Sequence, residues 1–176
     1  MTTNITALPT YFISHGGGPW PWVPKMREMF ANLETSLKDM VAEWDTPPKA
    51  ILMVSGHWEG AQVEVMATQR PPMIYDYNNF PNETYEVVYP AKGAPEFAQR
   101  ALELLVDAGF DAKLNLEQGY DHGVFVPMHV MYPEADIPLF QVSTLSSYDP
   151  KEHFALGRAL SALRKEGVMI IGSGLS

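Results

Sequence analysis

The stretch AILMVSGHW at residues 50–58 is a short apolar run that ends in Ser-Gly-His. It is too short for a buried helix and lies between proline and glycine, which predicts a buried strand over residues 50–55. The stretch TYFISHGGGP at residues 10–19 repeats the pattern and predicts a strand over residues 10–14. Because ligands bind beyond the carboxyl ends of strands in an open α/β sheet, we expect His15 and His57 to converge.

Helical patterns alternate with these strands. Apolar residues at the 3.6-residue period predict one helix over residues 25–44, with Met26, Met29 and Met40 facing the core. Further helices are predicted over residues 95–108, 124–131 and 149–166, and further strands over residues 63–68, 112–116, 139–142 and 168–171. This alternation predicts a three-layer α/β/α fold with a mostly parallel central sheet. The intervening aromatic loop over residues 70–93 is long enough to suggest a functional role.

The composition of the chain excludes several classes of partner and metal site. A chain of 176 residues fits one domain, and its net charge of −9 disfavours a nucleic-acid partner. The absence of cysteine excludes thiolate metal sites, so a metal would need histidine, carboxylate or water ligands. The chain shows no signal peptide and no apolar run long enough to span a membrane, which predicts a cytoplasmic protein with no membrane partner.

The other three histidines differ in their surroundings. His122 lies in the loop sequence GYDHG, where Asp121 is a candidate to orient its ring, although Asp-His-Gly is equally typical of a turn. His129 lies in an apolar segment and is expected to be a core histidine with satisfied hydrogen bonds. His153 follows a helix start and is expected on a solvated face.

Two further patterns leave alternatives open. His57 and Glu59 form an H-x-E pair of the kind found in iron sites with two histidines and one carboxylate, but a surface carboxylate is the favoured interpretation of Glu59. The glycines at residues 16–18 match no phosphate-binding loop, and we expect them to let the backbone approach a bound group. No serine lies in a nucleophile elbow, which leaves a serine hydrolase unsupported.

Several segments, taken in order, resemble the class III extradiol ring-cleavage dioxygenases, in the 4,5-DOPA dioxygenase branch of the LigB-like superfamily. The matching segments are SHGGGP at residues 14–19, VSGHWE at 54–59, YDYNNFP at 75–81, YPA at 89–91, GYDHG at 119–123, MYPEADIP at 131–138 and LRKEGVMIIGSG at 163–174. Each motif is weak alone, but the ordered set covers nearly the whole chain.

The resemblance implies an enzyme that opens the ring of a catechol-type substrate with dioxygen. It implies that His15 and His57 bind a non-haem metal, with iron(II) expected and zinc as the second candidate, and that His122 acts as acid and base. No organic cofactor is expected. Trp58, Tyr75 and Asp121 are expected to contact the small aromatic substrate, since aromatic side chains form walls for planar rings. A homo-oligomer is compatible with the sequence.

The resemblance also implies a further metal-binding histidine after the last strand, beyond Ser176. On this interpretation residues 1–176 are a single catalytic domain that lacks its C-terminal portion, and we expect the isolated chain to associate through exposed sheet surface. Two alternatives stay open. One is a non-enzymatic, Memo-like interaction protein on the same scaffold, and the other is a zinc-dependent hydrolase that uses His15 and His57.

Overall fold

The predicted alternation of strands and helices is confirmed by a computed structural model, which describes residues 7–44 and 47–175. Within those residues the strands are β1 (Thr10–Ser14), β2 (Ala50–Ser55), β3 (Glu59–Gly60), β4 (Val63–Met66), β5 (Ala112–Asn115), β6 (Leu139–Gln141), β7 (Thr144–Leu145) and β8 (Val168–Gly174). The helices are α1 (Pro24–Met29), α2 (Ala31–Ala42), α3 (Pro95–Asp107), α4 (His122–Met131) and α5 (Pro150–Leu160). Short 3₁₀ turns cover Trp20–Trp22, Asn82–Glu86 and Ser161–Glu166.

The central sheet sets the position of the two strand-end histidines. In the described chain its strand order is β1-β8-β2-β6, and every neighbouring pair is parallel. Strand β8 therefore lies between β1 and β2, and its Ser173 pairs with Ile13 of β1 on one side and with Ser55 of β2 on the other. Parallel strands end at the same edge of a sheet, so residues that follow β1 and β2 emerge next to the end of β8.

Helices cover the sheet as the three-layer prediction requires. Helix α4 packs against α2 and contacts β2 and β8, whereas α3 packs against α5, β4 and β5. The predicted helix over residues 124–131 is confirmed and begins two residues earlier, at His122. Almost every residue of α4 is buried, which explains why its sequence is apolar on all sides.

The prediction of one helix over residues 25–44 is wrong. The helix is interrupted at Phe30, which has φ −97° and ψ 16°, and the ring of Phe30 packs against Trp20 at a centroid distance of 5.5 Å. Met29 is 78% exposed instead of facing the core. Met26 and Met40 pack against the core as expected.

The loop over residues 70–93 is held in place by backbone pairing at two points. Tyr120 donates its N–H to Pro72 O, and Ile74 donates back to Tyr120 O. Gly93 donates to Gln69 O, where the chains approach so closely that a side chain at residue 93 would overlap Thr68 O. No helix in the described residues is long and apolar enough to cross a membrane.

Candidate metal centre

Three histidines meet at the carboxyl edge of the central sheet. His15 follows β1, His57 follows the turn after β2, and His122 is the first residue of α4. Each ring offers one nitrogen, and these nitrogens all lie within 4.8 Å of one another. His15 and His122 are buried, whereas the side chain of His57 is 33% exposed and opens the cluster to solvent.

The first two imidazoles face each other at the distance expected of metal ligands. His57 Nε2 lies 3.1 Å from His15 Nε2. Two nitrogens bound to one metal at about 2.1 Å are separated by about 3.0–3.4 Å, depending on the coordination geometry. Iron and zinc both accept imidazole ligands, so the donor set fits either metal.

His15 is held by Ser173, a residue that the sequence analysis did not select. Ser173 Oγ donates to Gly123 O at 2.5 Å and lies 3.0 Å from His15 Nδ1. Because a hydroxyl has one proton to donate, Nδ1 of His15 must be the donor to Oγ, and Nε2 carries a lone pair toward the cluster. Burial, together with repulsion from His122 and His57, lowers the pKa of His15 to about 4. This imidazole is therefore neutral at pH 7 and ready to bind a cation.

A carboxylate from the long loop contacts the other two histidines. Asp76 Oδ1 lies 2.8 Å from His122 Nδ1 and accepts the His122 backbone N–H at 3.0 Å. Asp76 Oδ2 lies 3.3 Å from His57 Nδ1. Burial raises the pKa of Asp76, but hydrogen bonds from the His122 ring and backbone outweigh it and leave the pKa below its usual value. A negative charge also suits the N-terminus of α4.

Asp121 does not orient His122, although it precedes it in the sequence. The Asp121 carboxyl is 2% exposed, and Ser55 Oγ donates to its Oδ1 at 2.6 Å. Ser55 Oγ in turn accepts the backbone N–H of His57 at 3.2 Å. Burial raises the pKa of Asp121, with the hydrogen bond from Ser55 acting in the opposite direction. Asp121 therefore supports the turn that carries His57, and its predicted contact with substrate stays a prediction.

Aromatic side chains of the long loop pack beside the histidine cluster. The ring of Tyr77 packs edge-on against His122 at a centroid distance of 5.9 Å. Tyr75 lies behind Tyr77 as seen from His122. Its ring contacts Tyr77 and Phe125, and its hydroxyl donates to Val87 O. Trp58 is half-buried against the core. The roles of Trp58 and Tyr75 in substrate binding stay predictions.

Glu59 and the glycine run have structural partners. The Glu59 carboxylate is exposed and accepts a hydrogen bond from Tyr148, as a surface carboxylate would. Gly16 has φ +75°, and a Cβ there would lie 2.5 Å from the Trp20 ring, whose Nε1 donates to His15 O. Gly18, with φ +51°, is crowded in the same way by Phe80. The glycines thus admit two aromatic rings of the chain itself.

The remaining histidines lie outside the cluster. His129 packs between the rings of Trp22 and Tyr89, as a core histidine does, and burial lowers its pKa. Its Nδ1 has no hydrogen-bond partner among the described residues, and the expectation of satisfied hydrogen bonds stays a prediction. His153 is half-buried rather than solvated, because its Nε2 accepts the backbone N–H of Leu145.

Residues 9–176 match the family model of the catalytic LigB subunit of aromatic ring-opening dioxygenase. The chain belongs to the LigB family. It is 42% identical to the 4,5-DOPA dioxygenase extradiol of Beta vulgaris over 166 residues, which are 94% of this chain and 60% of that protein. It is 39% identical to the 4,5-DOPA dioxygenase extradiol of Escherichia coli K12 over 172 residues, 97% of this chain and 60% of that protein.

Two further proteins are similar to this chain over most of its length. The chain is 40% identical to the dioxygenase tasH of Hapsidospora irregularis over 180 residues, 99% of this chain and 56% of that protein. The crystal structure of an uncharacterized protein of Escherichia coli K12 superposes with a TM-score of 0.66 at 37% identity, over 81% of this chain and 52% of that one. The chain thus spans between 56% and 60% of the length of the curated relatives described here.

Proposed function

We propose that this chain carries the metal-binding centre of an extradiol dioxygenase that opens a catechol-type ring with dioxygen. In this proposal His15 and His57 bind iron(II), and His122 moves the substrate proton. The observation that carries the proposal is the approach of His57 Nε2 to within 3.1 Å of His15 Nε2, with a third imidazole beside them. The LigB family membership of the chain supplies the reaction class.

The proposed metal ligands leave room for reactants. His15 and His57 would occupy two coordination positions, and His57 provides the opening to solvent. Iron(II) held by these nitrogens would supply a Lewis acid that lowers the pKa of a catechol hydroxyl and the redox chemistry that activates dioxygen. Zinc lacks the redox chemistry that oxygen activation requires, so the function favours iron among the metals that fit.

His122 is suited to carry the proton of the substrate hydroxyl. Its Nδ1 is engaged by Asp76 at 2.8 Å, which leaves Nε2 free to accept a proton from the hydroxyl and to return it later in the reaction. Asp76 stabilises the imidazolium that forms in between, as a carboxylate does behind a catalytic histidine. The edge-on ring of Tyr77 covers one side of His122.

Oxygen uptake tests this proposal. The chain is loaded with iron(II) without oxygen, mixed with a catechol such as DOPA, and exposed to oxygen. We expect oxygen consumption and a yellow ring-opened product, both lost in His57→Ala. His122→Gln should keep its iron and lose at least about 100-fold in kcat, the lower range for a general acid–base group. Glu59→Gln is the matched control beside His57 and should keep full activity.

Three results would contradict the proposal. The first is the absence of oxygen uptake by the iron-loaded chain with any catechol. The second is amide or ester hydrolysis that requires zinc, which would favour the zinc hydrolase. The third is capture of a protein partner by a chain that binds no metal in calorimetry, which would favour the Memo-like interaction protein.

A further inference from the structure

We propose that Asp76 is a positioning residue whose single carboxylate fixes the imidazole tautomer of His122 through Oδ1 and holds the ring of His57 through Oδ2. The inference rests on the proposed function, because it assigns the metal ligand and the proton carrier to a common support. The sequence alone predicted no role for Asp76, although this residue lies in the matching segment at residues 75–81, and it is 46 residues from His122. It reaches the cluster because the long loop folds back over the start of α4.

The geometry divides the two carboxylate oxygens between the two rings. Oδ1 lies 2.8 Å from His122 Nδ1, and Oδ2 lies 3.3 Å from His57 Nδ1. The ring centroids of His57 and His122 are 4.1 Å apart, so a single carboxylate can span both. Oδ1 also accepts the first backbone N–H of α4, which fixes the carboxylate to the helix rather than to the ring alone.

The chemistry of the carboxylate determines the tautomer of His122. An ionised carboxylate only accepts hydrogen bonds, so the His122 Nδ1 that it contacts at 2.8 Å must carry the proton, and His122 Nε2 carries the lone pair that can accept a substrate proton. The Asp76 Oδ2 contact with His57 Nδ1 is an ion-pair distance of 3.3 Å, which orients the ring for binding a metal through Nε2. Ser173 fixes the same tautomer on His15, so His15 Nε2 faces His57 Nε2 as an acceptor. Carboxylates behind metal-binding histidines have this role in other proteins.

Asp121, the buried carboxylate near the cluster, does not share this role. Its Oδ1 is engaged by Ser55, and its Oδ2 has no partner among the described residues. It thus supports the backbone of His57 through Ser55, whereas Asp76 contacts the ring. The two carboxylates therefore make separable predictions.

The test uses Asp76→Asn, which keeps the size of the side chain and replaces one oxygen with an N–H donor. Only one acceptor oxygen then remains, and the amide N–H faces one of the two rings. Because His57 must carry its proton at Nδ1 when Nε2 binds a metal, an N–H donor facing that atom opposes metal binding. Nitrogen-15 NMR of the metal-free parent chain should show Nδ1–H on His122. Zinc affinity in calorimetry should fall about 10–100-fold.

Two variants make the result decisive. Asp76→Glu keeps both acceptor oxygens and should keep the parent tautomer of His122 and restore zinc affinity, and Glu83→Gln removes an exposed carboxylate of the same loop and should leave tautomer and zinc affinity unchanged. An Nε2–H tautomer of His122 in the parent chain, or an unchanged zinc affinity in Asp76→Asn, would overturn the inference. The NMR result does not depend on metal binding. A parent chain that binds neither zinc nor iron would instead contradict the proposed function.

Discussion

At the scale of single residues, the site depends on close packing beneath His57. Gly123 is the second residue of α4, and a Cβ there would lie 2.5 Å from Ser55 Oγ and 3.0 Å from His57 Cδ2. Both neighbours are fixed, because Ser55 bonds to Asp121 and to the His57 backbone. A methyl group at this position would have to displace the turn that carries His57.

We therefore expect Gly123→Ala to lower the free energy of unfolding by about 1–3 kcal/mol, the usual cost of overpacking, and to weaken metal binding. Urea unfolding and metal calorimetry measure the two effects. Gly157→Ala in α5 is the matched control, since a Cβ there meets nothing within 4 Å. It should stabilise the chain by about 0.5–1 kcal/mol through helix propensity. Equal effects of the two substitutions would show that the packing at Gly123 is unimportant.

The low pKa of His15 predicts a stability that falls in mild acid. Its pKa is lowered from 6.5 to about 4 by burial and by the neighbouring imidazoles. The unfolded chain therefore binds a proton as pH falls below about 6.5, while the folded, metal-free chain does not bind it until about pH 4. The stabilisation is complete above pH 6.5 and is lost as pH falls toward 4.

Urea unfolding of the metal-free chain should show this loss as about 2 kcal/mol between about pH 7 and about pH 5. His15→Asn keeps an N–H donor for Ser173 and removes the titrating group, so its stability should change less over the same range. The same pH dependence in the parent chain and in His15→Asn would contradict the assignment to His15.

The candidate site was partly visible in the sequence for physical reasons. His15 and His57 follow apolar runs at strand ends, and a parallel sheet brings such ends together regardless of the conformation of the connecting loops. His122 was ambiguous from its residues alone, because Asp-His-Gly also suits a turn. Asp76 and Ser173 were missed as supports, since their contacts join residues 46 and 158 positions apart in the chain.

At the scale of secondary structure, the sequence predicted the N-terminal cap of α5 correctly but not the interruption between α1 and α2. Asp149 caps α5 as its sequence predicts, with Oδ1 accepting the Lys151 N–H at 2.8 Å, and Pro150 occupies the first turn. The capping signal is local, so the sequence contains all of it. The interruption at Phe30 could not be predicted in this way, because the apolar period of the sequence continues through it.

Removing this cap should have a limited effect. We expect Asp149→Ala to lower the free energy of unfolding by about 1 kcal/mol, with Asp149→Asn close to the parent chain because asparagine caps equally well. Metal affinity should be unchanged in both variants, since the cap lies on α5 and none of the three clustered histidines does. Thermal unfolding and metal calorimetry check these results, and a loss of metal binding in Asp149→Ala would contradict them.

At the scale of the whole molecule, strand order decides where the site forms. Strand β8 lies between β1 and β2, so the ends of these three strands each bring a side chain to the same edge of the sheet. The alternation of helices and strands predicted a parallel sheet but not this order, since order depends on long-range pairing. The sequence predicted that His15 and His57 lie close together, but only the structure gives the distance between their Nε2 atoms, which is 3.1 Å.

The most direct measurement of the central claim is an anaerobic calorimetric titration of the chain with iron(II). We expect one metal ion per chain, with binding lost in His15→Ala and in His57→Ala. His153→Gln should bind as the parent chain does, because His153 lies outside the cluster and its Nε2 serves only to accept the Leu145 N–H. Failure of the parent chain to bind iron(II), or binding that survives the loss of both His15 and His57, would contradict the account.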